Sequence, residues 1–175
     1  GKVNAAAVSL GNPFNVVFNE WMAKPTQDAD WFELFNPESK PVDLGGMSLS
    51  DDPTAAGRDK FIIPDRTYIP ARGWVQWWAD GTSSSGHVNF SLRGQGELLR
   101  LYGSRRTAID EVEIFNAAEG VSRGRLPDGG SVLKDFPLTP TPGDGNYLPL
   151  RNIVINEVLS HTDMPLEDAI ELHNA

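Results

Sequence analysis

The chain has 175 residues, which suits one domain with appendages, since a single core of ordinary size takes about 100–200 residues. Its 24 acidic residues against 15 basic ones leave a formal charge of −9, which opposes a phosphate backbone and speaks against non-specific nucleic-acid binding. The absence of cysteine excludes disulfides and thiolate metal sites, no apolar run reaches the length of a membrane span, and 17 Gly and 13 Pro suit a loop-rich β protein.

Residues 1–14 read as a linker or the end of a preceding module, because Gly1-Lys2-Val3-Asn4 resembles Gly143-Asp144-Gly145-Asn146. Short alternating runs then predict strands at 16–22, 31–36, 46–50, 60–63, 74–79, 88–91, 97–102, 107–115 and 122–126. Between them stand turn formers such as Asn36-Pro37, Gly45-Gly46, Asp52-Pro53, Asp80-Gly81 and Asp128-Gly129-Gly130. Many short strands with frequent turns indicate an all-β, antiparallel sandwich.

Alternation assigns faces to these strands. Val16, Phe18, Glu20 and Met22 share one parity, and Val17, Asn19 and Trp21 the other. Phe32 and Leu34 form a core row with Glu33 on the opposite face, so Glu20 and Glu33 are expected on different faces. Val75, Trp77 and Ala79 form an apolar row, which turns Trp74, Gln76 and Trp78 outward or towards a covering loop. Leu99 and Leu101 are expected in the core, with Leu98, Arg100 and Tyr102 behind them.

The Pro-rich stretch 137–143 cannot donate a regular ladder and reads as a stiff exit, closing a domain over 15–146 before a linker at 147–152. The remaining residues start the pattern again. VVFNEWMAKPTQDADWFELFN at 16–36 is echoed by IVINEVLSHTDMPLEDAIELHN at 153–174, so Asn19, Glu20, Glu33 and Asn36 answer to Asn156, Glu157, Glu171 and Asn174. Residues 153–175 thus read as the truncated first two strands of a second repeat, at 153–158 and 168–173. So short a piece lies below the roughly 40 residues a lone domain needs, and is expected to pack on the sandwich, exchange with a second copy or stay mobile.

Several constellations could carry chemistry. Glu20 and Glu33 could act as paired carboxylates, yet no histidine or third acid recurs with them, and a buried carboxylate persists by accepting hydrogen bonds from backbone or from an arginine such as Arg123 or Arg125. In SRGRLPDGG, Arg123 and Arg125 could grip an anion, or form internal ion pairs that tie the last strand to the sheet ahead of the Asp128 turn. Trp74, Gln76 and Trp78, with Trp21 or Trp31, could form a platform for a sugar ring or a partner's side chain, or could simply be core. The acidic loops at Asp28 and Asp30 and at Asp51, Asp52 and Asp59 lack the spacing of a calcium loop. His87, His161 and His173 are too scattered for a metal site or triad, and serines 83–85 read as a hairpin tip. No catalytic residue, cofactor or metal is expected.

In order along the chain stand VVFNEW at 16–21, DWFELFNP at 30–37, PVDLGGMSLSDD at 41–52, FIIPDRTYIPARGWVQWWAD at 61–80, FSLRGQGELLRLYG at 90–103, IDEVEIF at 109–115, SRGRLPDGG at 122–130 and PTPGDGN at 140–146. Together these resemble the lamin-tail domain family, in particular its bacterial members, and 153–174 resembles the opening of a second such domain. The resemblance implies an immunoglobulin-like β-sandwich without catalytic residues, carried in secreted or surface-attached multidomain proteins often beside hydrolase or binding domains. Animal relatives contact proteins and DNA, but this acidic chain departs from a DNA-binding surface. The expected role is a non-catalytic interaction or spacer module with a protein partner, the alternatives being a carbohydrate-binding module or an ancillary domain of a secreted hydrolase.

Overall fold

The computed structural model describes residues 9–165 and 167–175, so most of the expected N-terminal linker lies outside the described residues. The strands in chain order are β1 (Val17–Met22), β2 (Asp30–Phe35), β3 (Val42–Asp43), β4 (Ser48–Ser50), β5 (Phe61–Ile62), β6 (Tyr68–Ile69), β7 (Trp74–Ala79), β8 (His87–Val88), β9 (Glu97–Tyr102), β10 (Ala108–Ile114), β11 (Ser122–Arg125), β12 (Leu133–Phe136), β13 (Ile153–Leu159) and β14 (Ala169–Asn174). Each predicted strand is present. Three more, β3, β6 and β12, escape prediction because two are only two residues long and β12, with the sequence LKDF, is exposed along most of its length.

The strands form an immunoglobulin-like sandwich. One sheet runs β12-β11-β1-β2-β7-β8, antiparallel except for the short parallel β7–β8 pair, and the other runs β10-β9-β4-β5. Between them lie Phe18, Trp21, Phe32, Leu34, Trp77 and Ala79 from the first sheet and Leu49, Phe61, Leu99, Leu101, Val112 and Ile114 from the second. Phe18 meets Phe32 edge-on at 5.7 Å, and burying one such side chain contributes about 1.5–3 kcal/mol.

One face assignment needs correction. The register of β1 on β2 shifts between Phe18 and Glu20, which leaves Asn19 as an extra residue in a β-bulge. Parity therefore reverses inside the strand. Phe18 and Trp21 both enter the core, while Glu20 becomes the direct cross-strand partner of Glu33 instead of lying on the opposite face. Simple alternation could not anticipate this, because a bulge conserves hydrophobic content and changes only phase.

β13 and β14 pair with each other as an antiparallel hairpin, and every one of their residues is exposed. Among the described residues neither of them pairs with a strand of the sandwich.

Candidate functional site

The outer face of the six-stranded sheet has three cross-strand rows. Met22, Trp31 and Trp78 form one; Glu20, Glu33 and Gln76 form the next; Val17, Phe35 and Trp74 form the third. A polar row between two apolar ones is costly unless something satisfies it, because like charges directly opposite each other destabilise a sheet. The segment 140–146 crosses this face and does so.

Glu20 and Glu33 have no exposed surface. The amide N–H of Thr141 donates to Glu20 Oε2 at 3.0 Å, the Ser122 hydroxyl donates to Oε1, and the Thr141 hydroxyl stands 3.0 Å from Oε2. Glu33 accepts from the Gly143 N–H at 2.7 Å and from Asn19 Nδ2 at 2.9 Å. Of the two expected sources, backbone and arginine, backbone supplies the N–H groups of Thr141 and Gly143, and the side chains of Ser122, Thr141 and Asn19 stand where an arginine was the alternative.

Asn19 is the hub, and the bulge that displaces it from the ladder frees its amide for three contacts. Besides Glu33, its Nδ2 donates to Asp128 Oδ1 at 2.9 Å, while its Oδ1 accepts from the Gly129 N–H at 3.0 Å. Asp128 Oδ1 also accepts from the Asn146 N–H at 2.9 Å, and Asn146 Nδ2 donates to the carbonyls of Arg125 at 2.9 Å and Asn19 at 3.3 Å. This close approach needs Gly124, the partner of Glu20 on β11, where an added Cβ would sit 2.5 Å from the Asn19 carbonyl oxygen and 2.7 Å from Asn146 Nδ2.

Burial pushes the Glu33 carboxyl up to about 8, against the pull of the hydrogen bonds from Asn19 and Gly143, and the charges of Glu20 and Asp128 add to the rise. Glu20 is raised too, chiefly by burial. The cluster therefore holds a proton near neutral pH, but its oxygens are engaged by the protein itself. Chemically it acts as a clasp that closes 140–146 onto the sheet.

The sequence-derived residues fall into separate groups. Asn19, Glu20, Glu33 and Asp128 meet in the clasp. Asn36 lies at the far end of β2, where Nδ2 donates to the carbonyls of Lys40 and Pro70, both at 2.8 Å. Arg123 pairs with Asp135 on β12 at the surface. Arg125 bridges the two sheets: its guanidinium donates to the Phe18 carbonyl at 2.7 Å, the Gly130 carbonyl at 2.9 Å and the Asp110 carboxylate at 3.1 Å. Thr141, Gly143 and Asn146 were missed because PTPGDGN signals a turn and says nothing of what the turn covers, and Ser122 because the two arginines beside it drew the reading of its strand.

Trp74, Gln76 and Trp78 are half-buried rather than displayed together. Trp74 packs on Phe35 at 5.2 Å, with Gly145 of the covering segment against its ring. Trp78 borders a cleft of about 350 Å³ that also meets Met22, Trp31, Pro140 and Pro142. The acidic loops are engaged within the chain: Asp30 accepts from the Leu92 N–H at 3.0 Å, Asp51 pairs with Lys60, and Asp59 pairs with Arg106. His87 meets Asp80 at 2.7 Å across the loop that carries serines 83–85.

No curated protein matches the chain. A family model described as Lamin Tail Domain matches residues 11–116, which takes in β1 to β10. Although the match stops before β11, that strand pairs with β1 and the clasp draws on both, so the structural unit runs past it. The matched stretch, with the sandwich it builds, shows that the chain belongs to the lamin tail domain family, a family of immunoglobulin-like interaction domains.

Proposed function

We propose that the chain is a non-catalytic interaction and spacer module, one of a tandem set in an extracytoplasmic bacterial protein, which binds a protein partner or positions neighbouring domains. The clasp carries this reading. The carboxylates best placed for acid/base chemistry are fully buried and engaged in holding 140–146, which leaves loops, sheet edges and outer clefts as the working surface. The hairpin supports the tandem arrangement. Its register shifts between Ile155 and Glu157, Glu157 then faces Glu171, and Asn156 donates to Glu171, as Asn19 does to Glu33. A linker over 147–152 would fix the spacing of such modules and raise their joint avidity.

Photo-crosslinking from positions 62, 78 and 138 in the protein's own cells tests this. Adducts with a protein partner at a defined position support the reading, and adducts at none of the three overturn it. A glycan-binding alternative is favoured by the open cleft between Trp31 and Trp78. Glycan-array binding that is lost in Trp78→Ala would establish that alternative in its place.

A further inference from the structure

At the opposite edge of the clasp-bearing sheet, β7 is only half covered. β8 pairs with Trp78 and Ala79 alone, and among the described residues no strand continues alongside Trp74 to Trp77. The Trp78 N–H donates to the Gly86 carbonyl at 2.8 Å, on the side away from β2. In an antiparallel ladder the outward-pointing residues alternate, so the N–H and C=O of Gln76 point to that same open side. Facing this edge is β5, the edge strand of the other sheet.

Between the two edges lies a groove of about 870 Å³. Phe61 and Trp77, edge-to-face at 5.6 Å, line it together with Val75, and half-exposed Ile62 borders it. Trp77 Nε1 is buried beside Phe61 without a hydrogen-bond partner among the described residues, whereas Gln76 turns its side chain to the other face, towards Glu33. Buried donors in native proteins are rarely left unpaired, so the Trp77 indole calls for an acceptor. At the rim, Lys60 is paired with Asp51 and Asp59 with Arg106, whereas Asp65 is exposed and enters no ion pair among the described residues.

We propose that this groove binds an extended basic peptide, which adds to β7 as a strand beyond the end of β8, sets an apolar side chain over Phe61 and Trp77, and places a lysine or arginine beside Asp65. The proposal rests on the interaction-module reading and assigns that module's peptide site. Backbone pairing at a free edge supplies affinity, and the pocket for alternate side chains supplies selectivity. The chain's charge of −9 favours a basic partner. It also disfavours the hairpin of a second copy, since β13 and β14 carry Glu157 and Glu171 but no lysine or arginine.

The test is a titration of the full chain, labelled with 15N, by a blocked peptide of alternating valine and threonine flanked by lysines. Shifts confined to the amides of 74–77 and 84–86 and to the Trp77 indole N–H support the proposal. Methylating alternate backbone nitrogens of the peptide should abolish them. Ser85→Trp fills the groove from an exposed loop position and should weaken binding about tenfold or more with Tm unchanged, and Asp65→Lys should weaken it independently. Absence of shifts at these amides, binding that survives methylation, or shifts centred on 153–174 overturn it. Partner crosslinks elsewhere on the sandwich, without shifts here, would overturn the groove and leave the interaction-module reading standing.

Discussion

Replacing Glu33 with glutamine should remove a pH dependence of stability that burial of the acid imposes, leaving the variant the more stable towards pH 8. In the folded chain burial holds the Glu33 proton up to about pH 8, whereas the unfolded chain releases it near the ordinary 4.5. Between those values the folded state binds up to one more proton than the unfolded state, so stability falls as pH rises, by about 1.4 kcal/mol per unit. The contribution is complete below about 4.5 and is lost as pH passes through about 8. From pH 5 to pH 8 the loss amounts to about 3.5 kcal/mol.

Urea unfolding of both proteins at intervals from pH 5 to 8 reads this directly, and the difference between the two curves isolates Glu33. The histidines are present in both. Asp80, held down to about 2 by the N–H and hydroxyl of Thr82, contributes with the opposite sign and only as pH falls below its unfolded value near 3.8. Glu20 remains in the variant, and its carboxyl, raised by burial, contributes with the same sign. If the wild-type and Glu33→Gln curves run parallel within about 0.5 kcal/mol over this range, Glu33 carries no extra proton in the folded state and the account of the clasp is wrong.

Asn19→Ala should cost about 3 kcal/mol in urea unfolding, since it leaves Glu33, Asp128 and the Gly129 N–H without a partner, whereas Asn156→Ala in the exposed hairpin should stay within about 0.5 kcal/mol. Gly124→Ala should lower stability by about 2 kcal/mol or more, because its Cβ meets backbone that β1 cannot withdraw. Arg125→Ala should be costly, by about 2–3 kcal/mol, and Arg123→Ala nearly neutral, because only Arg125 has a half-buried carboxylate and two carbonyls depending on it. Thr141→Val removes the hydroxyl from the clasp and should speed amide exchange at Thr141, Gly143 and Asn146 well before it affects β9 or β10.

The strands were legible because they obey period-two alternation between turn formers, and the core rows of β2, β7 and β9 follow from that pattern alone. The site was legible only in part of its membership. The recurrence of Asn19, Glu20, Glu33 and Asn36 singles out residues that matter, but their geometry depends on one inserted residue, and a bulge leaves no mark in composition. The covering segment was harder still. Its prolines exclude it from a ladder, which makes it look like an exit from the domain, yet the same stiffness holds Thr141 and Gly143 in line to donate to the carboxylates.

The hairpin separates what is local in this signature from what is not. β13 and β14 carry the same motif residues, the same bulge and the same asparagine-to-glutamate hydrogen bond, with every residue exposed and, among the described residues, no other strand beside them. Those features therefore follow from the two strands themselves. Burial of the carboxylates, and the proton that burial retains, appear only where β11 supplies Ser122 and Gly124 and the 140–146 segment supplies its N–H groups. The repeated motif thus sets a register that places two acids side by side, and the later part of the module turns that otherwise unfavourable pair into a clasp.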